Sequence, residues 1–413
     1  MQENSRYAVG IDIGTTTVRC VVGHLDPITG APTIVGVGQH KNSGMRKGSV
    51  ANLTGPAQAI DEALGEAERM SGYQVNDAYV SINGSHIIST TADGMIAVGG
   101  MDHEITREDL SRIEEVATIG KVPANRQILE VVPHSYRLDG QDNIKTPLGM
   151  TGTRLEISAN VVSALTPHLD TLVKAAENAK VGSKGVVPSV MASARAVLSE
   201  SQLENGVVVI DFGGATTSLA VYEEGDLQYM SVIPVGGVNV TNDLAIGLKT
   251  DPEIAEAVKL EHGSATAKGS GSVSVTIDKT AHEFAQEDID EIIEARLEEL
   301  FEAINKELKK AGRAGKLPSG AVLVGGGSKL KGLTDYAKSN LGLAVRIGKP
   351  TGFGGVAEAA EQADYAAAVG LMLLDSDGVE PTEGQTNRSK SANKKTTSNS
   401  GGFLRDLIDK FKA

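Results

Sequence analysis

A single cysteine, Cys20, leaves this chain without any intrachain disulfide, which fits a reducing compartment. It lies in the apolar run 18–22, where a free thiol serves as a small core filler. The opening stretch MQENSR carries an acid and lacks the basic and apolar regions of a secretory leader. No uninterrupted apolar run reaches the ~18 residues that a membrane-spanning helix requires. The P-loop pattern GxxxxGKS/T is absent, and that class is excluded with it. Net positive charge is lacking as well: 39 Lys and Arg stand against 53 Asp and Glu, for a formal charge of −14. Nucleic-acid binding is driven by phosphate neutralisation, so no nucleic-acid partner is expected.

What is present is a long α/β pattern. The chain has 413 residues, enough for about two to three domains and an ample core. Short β-branched runs at 7–11, 17–22, 78–82, 207–211, 218–221 and 321–324 alternate with helical patterns at 54–70, 165–179 and 289–308. Residues 263–275 are rich in Gly, Ser and Ala and read as a loop. From 376 to about 400 the composition turns to Ser, Thr, Asn, Lys and Gly with almost no large apolar residue, a disordered linker by composition.

A distant repeat carries the chemistry. DIGTTTVRCVV from Asp12 resembles DFGGATTSLAV from Asp211. Each is a strand, a tight turn with glycine and hydroxyl residues, and a second strand. Two copies far apart predict two related lobes that face each other. A triphosphate needs closely approaching backbone N–H groups, hydroxyl donors and a carboxylate to hold its metal. Gly14, Gly213 and Gly214 remove the Cβ from the turns, whose N–H groups form an anion-binding concavity. Thr15, Thr16 and Thr216 offer hydroxyls, as does Thr217. Asp12 and Asp211 would face Mg2+ through water, since that ion keeps much of its hydration. Either turn alone could equally be an ordinary Gly/Thr hairpin; the pair is harder to dismiss. A third element, AVLVGGGS from Ala321, runs a buried strand into Gly325, Gly326 and Gly327 and then toward a helix, an arrangement that favours nucleotide sugar or phosphate.

The three elements fall in the order of the first phosphate, second phosphate and adenosine motifs of the actin/heat-shock-chaperone/sugar-kinase superfamily. Within it the chain resembles the FtsA family over nearly all its length. The phrases that carry the resemblance are GMRKGSV from Gly44, INGSHI from Ile82, LEVVPHSY from Leu129, AEAVKLEHG from Ala255 and AAAVGL from Ala366. The resemblance implies an actin-like ATPase fold with ATP and Mg2+ between two lobes. Lobe 1 would comprise 1–85 with 166–195 and about 354–375, and lobe 2 would comprise 196–353. An insertion subdomain at 86–165 would meet later divisome proteins. Glu256 and Lys259, at i and i+3 on one helix face, would lie beside the adenosine; on spacing alone they could be an exposed ion pair. Arg296 aligns with a basic position that helps the family grip the C-terminal tail of FtsZ; a solvated helix charge is the competing reading.

The sequence also departs from the family pattern. Ala215 stands where a third glycine is usual, and Ser218 where the family has an aspartate. Binding should survive on the remaining backbone donors. No residue stands out as the base that positions water, so weak or negligible ATPase activity is expected.

In the last residues, Phe403, Leu404, Leu407, Ile408 and Phe411 recur at spacings that place them on one helical face. Such a segment suits the plane of a membrane surface, and the resemblance strengthens that reading over a helix docked on its own domain. The linker before it would reach ~30 Å as a flexible coil. The helix is too short to be stable alone in water. One tail should therefore bind reversibly, with polymerisation supplying avidity. The resulting expectation is a cytoplasmic adaptor, peripheral on the inner face of the cell membrane at the division site, which forms filaments and anchors FtsZ. A pilus-assembly relative and a small-metabolite kinase on the same superfold are the alternatives. A chaperone ATPase would need a peptide-binding domain for which no room remains.

Overall fold

A computed structural model describes residues 6–100, 102–266, 269–355 and 358–378. The first lobe opens with β1 (Arg6–Ile13), β2 (Thr17–Leu25) and β3 (Pro32–Lys41), which pair antiparallel in that order. A small hairpin of β4 (Met45–Arg46) and β5 (Ser49–Val50) follows, then α1 (Thr54–Ser71) and β6 (Asp77–Ile82). The last runs parallel to β1. α1 buries Ala59, Ile60, Ala63, Leu64 and Ala67, one stripe at helical spacing, against β3 and β2.

The chain then leaves this lobe to build a separate layer from β7 (Ile88–Ala97), α2 (Arg107–Thr118), β8 (Arg126–Leu138), β9 (Gln141–Ile144) and β10 (Arg154–Leu165). Its antiparallel sheet has the order β7-β10-β8-β9. Thr106 and Asp109 cap α2 reciprocally, so local sequence fixes where that helix begins. Ile105, Ile113, Tyr136 and Leu155 are buried in a core of this layer's own. The chain returns through α3 (Thr166–Asn178) to β11 (Gly182–Pro188), which completes the first sheet in the order β11-β6-β1-β2-β3.

After α4 (Ser189–Val197) and α5 (Glu200–Asn205), the second lobe repeats the opening plan. β12 (Val207–Phe212), β13 (Thr217–Glu223) and β14 (Asp226–Ile233) form an antiparallel meander. Then come α6 (Gly237–Gly247), α7 (Pro252–His262), the hairpin β15 (Ser272–Ile277) and β16 (Thr280–Ala285), and α8 (Gln286–Lys310). α8 buries Ile289, Ile293, Leu297, Leu300, Ile304 and Leu308, a continuous stripe that seats its 25 residues on the lobe. β17 (Ala321–Val324), α9 (Leu333–Leu341) and β18 (Val345–Ile347) close the sheet as β14-β13-β12-β17-β18. Finally α10 (Ala366–Asp377) crosses back onto β1 and β6.

α4 and α10 pack on each other between the two sheets. They touch at backbone distance: a Cβ on Gly370 would lie 1.7 Å from the carbonyl oxygen of Ala192. Two sequence expectations change here. The loop expected over 263–275 ends in strand, because 272–275 belong to β15 and pair with β16. Ser376 and Asp377, expected at the start of the linker, belong instead to α10. The Ser376 hydroxyl donates to the Leu373 carbonyl, and Asp377 pairs with Arg195 at 3.1 Å. The stretch 379–413, with Phe403, Leu404, Leu407, Ile408 and Phe411, lies outside the described residues. Among the described residues no helix is long and apolar enough to cross a membrane.

Candidate functional site

The repeated hairpins place two turns opposite each other. In the first, β1 and β2 pair so that Asp12 faces Arg19 across the ladder. The Ser81 hydroxyl donates to Asp12 Oδ1 at 2.7 Å and accepts the Ile13 N–H at 2.8 Å. In the second, the same register puts Asp211 opposite Ser218. Gly213 N–H donates to the carbonyl of the buried Thr216 at 2.9 Å, which closes the turn. The carbonyls of Gly213 and Gly214 accept the N–H groups of Gly237 and Val238 at the start of α6. The turns are in direct apposition: a Cβ on Gly214 would lie 2.6 Å from Thr16 Cγ2. Glycine is thus needed at 214 for the lobes to meet. Gly14 and the half-buried Thr15 belong to the same first turn.

The two carboxylates are charged with difficulty. Burial pushes the Asp12 pKa up, and Ser81 and Arg19 offset only part of that. Burial and the nearby Asp12 push Asp211 up to about 7, against smaller help from the Ser189 hydroxyl and Arg19. Arg19 itself pairs with Asp364 at 2.7 Å, and Asp364 also takes Lys329 at 2.8 Å. One guanidinium and one ammonium therefore serve three acids. The remaining negative charge fits a hydrated divalent cation. No group of three or more acidic, His or Cys side chains gathers among the described residues, so water would complete such an ion's shell.

The glycine run lies over the second turn. A Cβ on Gly325 would sit 2.3 Å from Asp211 Oδ1, and one on Gly327 would enter the Phe212 ring. Gly326 has open space at that position. Beside the same turn, Lys259 Nζ bonds Glu256 Oε2 at 2.6 Å, the Thr241 hydroxyl at 2.9 Å and the Gly237 carbonyl at 3.2 Å. The structure thus gathers both aspartate turns, the glycine run and the Glu256–Lys259 pair at the junction of the two lobes, the candidate nucleotide cleft.

Arg296 stands apart from it on α8. Its guanidinium grips both oxygens of Asp243, at 2.5 and 2.9 Å, and also Glu299. The hydrogen bond to Asp243 holds the Arg296 pKa above its ordinary value.

Several residues of the cleft carry no motif of their own. Asp364 binds from a remote segment, Lys329 follows the glycine run, and Thr241 joins the Glu256–Lys259 pair from α6. Ser218 Oγ donates to Asn83 Oδ1 at 3.0 Å, a hydrogen bond from the second lobe to the first. Arg19 and Ser218 had a signal, since both lie in the repeated hairpins and the short turns fix the register that sets them against Asp12 and Asp211.

Comparison with known proteins gives a consistent neighbourhood. The family described as "Cell division protein FtsA" matches residues 208–370, and "SHS2 domain inserted in FTSA" matches 84–163. The cell division protein FtsA of Pseudomonas aeruginosa is 33% identical over 376 residues, which cover 90% of this chain and 89% of that protein. That of Escherichia coli strain K12 is 31% identical over 414 residues, covering 97% and 96%. Among solved structures, a PilM-PilN type IV pilus biogenesis complex matches with a TM-score of 0.67 at 19% identity, covering 89% of this chain and 98% of that one. MreB5 of Spiroplasma citri bound to ADP matches at 0.53 and 13% identity, covering 89% and 96%.

Proposed function

This chain belongs to the FtsA family of cell-division proteins, and on that premise we propose that it is an ATP-controlled filament that tethers FtsZ to the cytoplasmic membrane. Its fold is the actin-like ATPase fold with the SHS2 insertion. ATP with Mg2+ binds between the lobes, and the protein polymerises on the inner face of the membrane. Residues 86–165 receive later division proteins.

The observation that carries the nucleotide reading is the apposed pair of aspartate turns. Half-buried Asp12 and buried Asp211, which share the Arg19 guanidinium, call for a cation, and the turn amides and the open side of Gly326 suit phosphate and sugar. The ADP held by MreB5 in the same fold supports it. Hydrolysis is weak, because the Ser218 hydroxyl is occupied with Asn83 and no carboxylate stands in its place. Turnover stays below ~1 s⁻¹.

The tether has two ends. Phe403, Leu404, Leu407, Ile408 and Phe411 enter the membrane surface, each tail reversibly, with avidity from the polymer. The FtsZ tail meets the surface around Arg296. Asp243 and Glu299 already neutralise that guanidinium, and Glu299 is the more exposed partner, 63% against 27%. An acidic tail therefore exchanges with Glu299 and leaves the Asp243 clamp in place.

Vesicle co-sedimentation with ATP tests the tether. Full-length protein should pellet and carry FtsZ with it, while protein ending at Ser400 and the Leu407→Glu variant should stay soluble. If the shortened protein pellets equally, the tail is not the anchor.

A further inference from the structure

We propose that the insertion layer 86–165 is a lever turned by cleft closure, so that its orientation reports whether the cleft holds nucleotide; this rests on the nucleotide reading above. The argument is geometric, because the layer grips both lobes at once.

Toward the first lobe, the chain enters it beside His86 and leaves it from β10 into α3. The His86 ring stacks on His168 of α3 with centroids 4.4 Å apart and planes 7° from parallel. Arg126, at the start of β8, donates to the His86 carbonyl and to the Ser163 carbonyl at 2.8 Å and hydroxyl at 3.1 Å. One guanidinium thus ties the entering segment, β8 and the end of β10 into a stiff neck.

Toward the second lobe, the buried Asn160 of β10 donates to the Leu227 and Gln228 carbonyls of β14 at 2.8 and 2.6 Å. Lys145 bonds Asp226 at 2.9 Å and Glu224 at 3.2 Å, in the hairpin that leads into β14. When the angle between the lobes changes, the layer must break one grip or rotate. Asn160 is desolvated, and its release would strand buried polar groups, so rotation is the cheaper response.

The junction of the lobes also touches the neck directly. Asn83 Oδ1 accepts the Ser218 hydroxyl from the second lobe, while the carbonyl of the same residue accepts His86 Nε2 at 3.1 Å. Burial draws the His86 pKa down to about 4, so the ring is neutral near pH 7 and its one proton is committed to that carbonyl. The two grips and the Asn83 contact together form an element that both the cleft and the insertion bias, which is what physical coupling requires.

The test places spin labels at Ile28→Cys and Lys121→Cys, in the first lobe and the insertion. Cys20 is buried and stays unlabelled. The distance between labels is measured with and without ATP and Mg2+, beside a titration of ATP affinity. The expected result is a shift on ATP addition that is lost in Asn160→Ala and reduced in Lys145→Glu, with ATP affinity preserved, since neither residue lines the cleft. Lys145 is exposed enough for its variant to fold even if Asn160→Ala does not. ATP binding without a shift, or both variants shifting like the parent, would overturn the lever. No ATP binding by the parent would overturn the nucleotide reading and the lever together.

Discussion

The two aspartate hairpins share a backbone and a register but not a chemistry. Across from Asp12 stands Arg19; across from Asp211 stands Ser218. The first hairpin brings its own cation and a serine donor from β6. The second brings only hydroxyls, and its carboxylate is the one raised to about 7. Duplication kept the turn and let the opposing side chain diverge, so the second lobe depends on what the cleft holds for its charge balance.

The largest test of that asymmetry is the stability of the nucleotide-free protein against pH. Asp211 binds its proton more tightly when folded, at about 7, than at its ordinary 3.8. The stability it contributes is therefore full below about pH 4 and lost as pH rises through about 7. Asp211→Asn should remove this slope, on the order of a few kcal/mol between pH 4 and pH 8. His86, drawn down to about 4, slopes the opposite way between that value and 6.5, but equally in both proteins. The difference curve from denaturant melts reports Asp211 together with its coupling to Asp12, and a flat difference would refute the asymmetry.

Next in size, Asp211→Asn should weaken Mg2+-dependent ATP binding about 10–100-fold, the usual cost of losing a group that holds a metal's water shell. Calorimetry in EDTA should show no comparable loss. An equal loss in both buffers would mean that the carboxylate serves the turn and not the ion.

Gly214→Ala comes third. Its methyl would meet Thr16 Cγ2, and overpacking of this kind costs about 1–3 kcal/mol. Thr16→Ser removes Cγ2 but leaves the hydroxyl oxygen 2.8 Å from the added Cβ, so it should restore only part of the lost stability. A double-mutant cycle with no coupling would show that the turns do not meet in solution.

Ser218→Ala is the mildest change. It deletes one hydrogen bond between lobes, worth about 1 kcal/mol. A melting temperature unchanged in the presence of ATP would mean that the bond adds nothing to the closed cleft.

Much of this cleft was legible beforehand because its parts are local. The repeat around Asp12 and Asp211 is a strand–turn–strand written in consecutive residues, and Gly325–Gly327 follow a four-residue apolar strand. Glu256 and Lys259 share a helix face by spacing alone. What escaped was held by tertiary contact. Asp364 reaches Arg19 across 345 residues of sequence, and Asn83 reaches Ser218 across 135. Arg296 shows the converse. Its charge was visible, but its neutralisation by Asp243, 53 residues away, was not. Spacing encodes a face of one element; it does not encode which remote element will lie against it.

The crossing of α4 and α10 has a mechanical consequence. At Gly370 the two helices meet main chain to main chain, with no side chain between them. Sliding along that crossing would drive a neighbouring Cβ into the contact, while Leu371 and Leu374 pack around Ala192 beside it. The crossing therefore acts as a bearing without clearance. It makes residue 370 the gauge that sets the spacing of the two helices.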